Sequence, residues 1–152
     1  MARVPLVDPN ATPEIAALVE KIRGARGGQL HVFYQALLHS PDLAAAWFEF
    51  NNAVRFQTTL DHPTRETVIM GVATLTGCEY VWKVHETKYA AAAGLTPQQV
   101  AALRDWRKLG GFDAREQALL AYIDAMTRDV AVPDQVFAEL GRHYGTRGTA
   151  GL

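Results

Sequence analysis

Residues 64–95 read TRETVIMGVATLTGCEYVWKVHETKYAAAAGL, and the choice between helix and strand over this stretch decides the fold. Val68, Ile69, Val72 and Leu75 lie on one side at helical spacing, although their β-branched content also suits a strand. Helix is the better reading, because Glu66, Val68, Ile69 and Val72 fit the 3.6-residue period and the neighbouring chain breaks carry helix caps. A second helix is expected to begin at Gly77, since Thr76-Gly77-Cys78-Glu79 has the Thr-x-x-Glu spacing of a capping box. Gly94 is its expected stop.

The same stretch holds the only cysteine of the chain together with a histidine and a carboxylate. A helix starting at Gly77 places Cys78 in the first turn, where free N–H groups and the helix dipole favour a thiolate, while Glu79 opposes it. The plain alternative is that Cys78 is a small buried hydrophobe. Seven residues at about 100° each bring His85 to within about 20° of the direction of Cys78, but about 10.5 Å further along the axis. The two share a face without touching. Val81 is the neighbour of His85 one turn back, so no thiol sits beside the imidazole. Trp82, Tyr89 and Ala92 complete the buried-looking face, and Glu79, Lys83 and Glu86 form a wet stripe. His85 is either a core histidine bonded to a carbonyl or a proton-transfer group. Glu66, read as a first-turn residue, is either a capping charge or a partner in that transfer.

Outward from this stretch, the pairs Thr12-Pro13, Ser40-Pro41 and Thr96-Pro97 each set a cap residue before a proline at the first helical position. The first of these helices carries Ile15, Ala16, Leu18, Val19 and Ile22 as its apolar stripe. Leu30 to Leu38 reads as a short second helix. The third carries Leu43, Ala46, Trp47, Phe50 and Val54 at spacings of three and four, the pattern of a core helix. Thr96 opens a helix running to about Lys108. Asp113-Ala114-Arg115-Glu116 is a further capping box, whose helix is expected to bury Leu119, Leu120, Tyr122, Ile123 and Met126. Pro133-Asp134 opens the last helix, and helix is not expected from Gly145 onwards because glycine is a poor helix former. The expectation is an all-α protein of seven or eight helices over residues 12–144, with an extended lead at 1–11 and a loose tail at 145–152.

At 152 residues, 49% hydrophobic and 20% charged, the chain has the composition of one folded domain. Fifteen basic side chains against sixteen acidic ones leave a net charge of -1, so no overall field draws nucleic acid or anionic lipid. One cysteine forms no internal disulfide, no secretory leader is evident, and no apolar run reaches the ~18 residues of a membrane span. A cytoplasmic setting is the default expectation. His31, His39, His62 and His143 show no ligand spacing. Cys78 and His85 alone are too few for zinc, which takes three or four protein ligands.

Arg65-Glu66, then Gly77-Cys78-Glu79-Tyr80-Val81-Trp82, His85 and Gly94-Leu95, preceded by Leu38-His39-Ser40-Pro41, resemble the carboxymuconolactone decarboxylase and alkylhydroperoxidase D-like family over roughly residues 30–140. In its peroxidase branch a glutamate precedes Cys-x-x-Cys-x-x-x-His. Glu66, Cys78 and His85 match that pattern, and Val81 stands where the second cysteine does. The resemblance therefore implies a multi-helix alkylhydroperoxidase D-like fold, with His85, Glu66 and Cys78 as the catalytic candidates. It implies a cofactor-independent enzyme acting on a small-molecule substrate, an organic acid or lactone, and self-association as a trimer or hexamer. Two alternatives stand beside it: a one-cysteine peroxidase using Cys78, and a non-catalytic relative.

Overall fold

The computed structural model describes residues 3–152, so the first two residues of the expected lead lie outside it. Helix is the regular secondary structure among the described residues, with no strand, and the chain divides after Gln57 into two compact units.

The first unit holds α1 (Pro13–Ala25), α2 (Val32–Leu37) and α3 (Pro41–Phe56). The Thr12 hydroxyl accepts the Ile15 N–H at 3.2 Å, and Pro13 occupies the first turn, where its missing N–H is no loss. Ile15 and Val19 cluster with Leu38 and Ala44, and Ile22 with Tyr34 and Phe48. The lead is tied down as well: His39 Nε2–H donates to the Pro5 carbonyl at 2.7 Å, and the Val7 N–H to that of Gln35 at 3.2 Å.

α3 corrects the sequence reading. Leu43, Ala46, Trp47, Phe50 and Val54, expected in the core, are exposed, while Ala44 and Phe48 face inward. Periodicity identifies an apolar face but not what covers it. Here Ala44 and Phe48, about 100–140° round the helix from Leu43, pack in the clusters with α1.

The second unit contains α4 (His62–Leu75), α5 (Glu79–Lys88), α6 (Pro97–Ala102), α7 (Trp106–Leu109), α8 (Ala114–Asp124) and α9 (Asp134–Thr149), with a π-helical turn at Ala125–Asp129. α4 packs on both α5 and α8, and α9 packs on α8. Met70, Trp82, Leu119, Leu120, Ile123 and Leu140 belong to its core. Gly71 permits the close approach of α4 to α8, since a Cβ there would stand 3.2 Å from the Ile123 side chain. The boxes at Thr96/Gln99 and Asp113/Glu116 form in full, as their sequences predict.

Five expectations fail in this unit. The Thr76/Glu79 box does not form, because Gly77 serves the end of α4 and not the start of α5. With Gly77 at φ +65°, the Cys78 N–H bonds the Ala73 carbonyl at 2.8 Å and the Gly77 N–H that of Thr74 at 3.2 Å. This is a Schellman stop, and Thr76 Oγ1 is spent on the Val72 carbonyl. Next, α5 ends at Lys88, although Gly94 (φ +92°) does close the turns that follow. The helix expected over 96–108 is two, because Trp106 and Arg107 turn toward Asp124 and bond it; with that break, nine α-helices are described. The π-helical turn leaves Met126 exposed. Helix also resumes beyond Gly145, whose φ of +62° interrupts it, and runs to Thr149 with Gly148 buried.

Arg115 joins three of these elements. It donates to Asp61 Oδ2 at 2.8 Å and to Thr64 Oγ1 at 3.2 Å, and its guanidinium lies 4.6 Å from the centre of the Tyr144 ring. Burial pushes the Asp61 carboxyl up, but the bonds from Thr64 and the charge of Arg115 outweigh it and hold the group below its ordinary 3.8. Such a group stabilises the fold fully above its unfolded value, and the contribution is lost as pH falls through the lower folded value. Asp61→Asn should therefore remove part of the acid-induced loss of stability below pH 3.8, seen as a shallower fall of Tm with pH. Parallel wild-type and variant curves there would take Asp61 out of the account.

Candidate active site

Asp61 caps α4 by accepting the Thr64 N–H at 2.8 Å, so the helix begins at His62 and Glu66 is its fifth residue. The first-turn reading of Glu66 is thereby corrected. Its carboxylate is not a capping charge but a buried group, 6% exposed, that meets α5.

There, Glu66 Oε1 accepts the Nδ1–H of His85 at 2.6 Å. His85 is itself 8% exposed. A buried carboxylate without a bonded partner would be strongly disfavoured, and the short bond to the imidazole supplies one. An ionised carboxylate only accepts, so the shared proton belongs to Nδ1 and the ring tautomer is fixed. Nε2 has no hydrogen bond within the described chain. One ring nitrogen is thus held while the other is left without a partner among the described residues.

The surroundings come from α5 and its C-cap, with Arg104 added from the segment between α6 and α7. The Tyr89 ring, one turn after His85, stands 5.0 Å from the imidazole. Trp82, one turn before it, is 2% exposed and lies under the Arg104 guanidinium, 4.1 Å from the ring centre. Arg104 also donates to Glu79 Oε1 at 3.3 Å. The Trp82 Nε1–H is buried without an acceptor in the described chain.

Cys78 falls in neither expected place. It is the N-cap residue of α5 and not part of its first turn, its side chain makes no capping bond, and it is exposed and not a buried hydrophobe. No hydrogen bond joins it to Glu66 or His85. The structure thus brings two of the three candidates together and leaves the third at the outer end of the same helix. Among the described residues no three His, Cys, Asp or Glu side chains converge as a metal site.

One buried acid escaped the sequence reading. Asp124, 8% exposed, accepts from Trp106 Nε1–H at 3.2 Å and from Arg107, with Arg128 3.8 Å away. It borders a small cavity of about 60 Å³ that is also lined by Thr74, Leu103 and Arg104. The available signal was a lone carboxylate in the apolar run Ala121-Tyr122-Ile123-Asp124-Ala125-Met126.

The model of a family described as the carboxymuconolactone decarboxylase family matches residues 41–125, more than half of the chain, including Glu66, Cys78 and His85. Neither the curated proteins nor the solved structures contain a match.

Proposed function

The chain belongs to the carboxymuconolactone decarboxylase family, and on that premise we propose that it is a cofactor-independent acid–base enzyme acting on a small organic acid or lactone. The observation that carries this reading is the 2.6 Å bond between two buried groups, Glu66 and His85, with the second ring nitrogen unbonded among the described residues. In the proposed cycle Nε2 takes a proton from the substrate, the Glu66 carboxylate stabilises the imidazolium so formed, and Nε2 then returns the proton to the product. Histidine suits both halves of that cycle near neutral pH. Cys78 is given no proton step, only a place as a polar group near the approach to α5. The reading includes self-association as a trimer or hexamer.

The exposure of Cys78 favours a second reading, a one-cysteine peroxidase. Its thiolate would attack the terminal oxygen of a hydroperoxide, the O–O bond would break, and a proton would accompany the departing alkoxide as alcohol. Two molecules of an outside thiol would then reduce the sulfenic acid, releasing water and a disulfide. With Val81 one turn before His85, no second cysteine is at hand for that reduction.

A paired assay separates the two: lactone decarboxylation beside hydroperoxide reduction with a thiol donor, on wild type and Cys78→Ser. Decarboxylation that survives Cys78→Ser supports the acid–base reading. Hydroperoxide consumption that vanishes in Cys78→Ser, with no decarboxylation in wild type, replaces it with the peroxidase. Glu66→Gln keeps an acceptor for Nδ1–H but loses the charge opposite the imidazolium. Its turnover is expected to fall between that of wild type and that of a variant lacking the imidazole, and full activity in Glu66→Gln would remove the glutamate from the mechanism.

A further inference from the structure

The open side of α3 plays no part in the chemistry proposed above. Leu43, Trp47, Phe50 and Val54 stand in one line along the helix, each between 40% and 62% exposed. Phe33 of α2, 47% exposed, extends the line sideways: its ring centre is 5.9 Å from that of Trp47, which is 6.1 Å from that of Phe50. Val32 beside it is also exposed. Single exposed hydrophobes are ordinary, but a contiguous aromatic patch marks an interaction surface. We propose that this face is an isologous interface with a second copy of the chain, with two α3 helices running antiparallel across a two-fold axis.

Two features select a second copy as the occupant. The stripe is spaced four, three, four, which reads identically in both directions. The midpoint of Leu43 and Val54 coincides with that of Trp47 and Phe50, between Phe48 and Glu49. An antiparallel pair centred there sets Leu43 against the partner's Val54 and Trp47 against the partner's Phe50, the self-complementarity that a two-fold axis demands.

Area is the second feature. Aromatic side chains cover about 150–250 Å² each when fully buried and Leu and Val less, so these six half-exposed side chains, three of them aromatic, offer on the order of 500 Å² per copy. Two copies give about 1,000 Å² of apolar surface, which at the ~65% apolar share of homodimer interfaces corresponds to a total of about 1,500 Å². Stable interfaces bury about 1,200–2,000 Å². The patch matches that size without help from another partner.

This inference rests on the self-association in the proposed function and is independent of its chemistry. The test is the mass of the full-length protein in solution by sedimentation or light scattering. An even multiple of the 16.7 kDa chain is expected, halved by Trp47→Glu with Phe50→Glu while the helical circular dichroism is retained. A cross-link reads the register without introducing charge. In a Cys78→Ser background, Leu43→Cys with Val54→Cys should oxidise to a doubly bridged dimer. Leu43→Cys alone should not, because the two copies of that position lie about 16 Å apart along the axis. A wild type of one or an odd number of chains overturns the two-fold interface, and a trimer among these leaves self-association standing. An even-numbered assembly that keeps its mass in the charged variant and forms no bridged dimer overturns this face alone.

Discussion

Replacing His85 with alanine is expected to lower turnover by about 10²–10⁴-fold, the usual contribution of a positioned acid–base group. Cys78→Ser should leave most of the activity. The contrast follows from placement. His85 is fixed at Nδ1 by Glu66 and keeps an Nε2 unbonded among the described residues, whereas Cys78 is exposed at the start of α5 with no hydrogen bond to either residue. The loss in His85→Ala should appear in kcat, since the proton is moved in the transition state and not on binding. Steady-state kinetics of the two variants check this. A His85→Ala enzyme of near wild-type kcat, or a Cys78→Ser enzyme as impaired as expected for His85→Ala, would exclude the acid–base mechanism.

The largest change in stability is expected at Trp82, and its size should depend on which part of the indole is removed. Trp82→Ala empties a site that is 2% exposed and should cost about 3–5 kcal/mol. Trp82→Phe keeps an aromatic face beneath Arg104 and deletes an N–H that is buried without an acceptor among the described residues. A buried polar group left unsatisfied costs about 1–3 kcal/mol. Its removal offsets much of the lost packing, so Trp82→Phe should be less than half as destabilising as Trp82→Ala. At about 2–4 °C of Tm per kcal/mol for a chain of this size, thermal unfolding resolves the difference. Equal losses in the two variants would mean that the indole N–H finds an acceptor in solution.

Local rules were followed at most places where a side chain reaches only three or four residues, although Ser40 opens α3 without a side-chain capping bond. Thr12, Thr96 and Asp113 cap the helices their spacing predicts, and the stretch from Val68 to Leu75 is helix despite its β-branched residues. Thr76 to Glu79 is the instructive exception. The same four residues admit a helix start or a helix stop, and packing of α4 and α5 with Gly77 in the left-handed region selects the stop. That choice moves Cys78 from the first turn to the cap position.

By itself, the sequence determined that the chain is helical and named the residues able to do chemistry, because caps, periodicity and residue type act over short range. Only the tertiary structure decided that Glu66 and His85, 19 residues apart, share a bond. It also decided that Cys78 is exposed and that α3 turns Ala44 and Phe48 inward, leaving its aromatic stripe open. Burial and pairing depend on which helices lie against one another, and a repeat of three and four residues is the same on a covered face as on an open one.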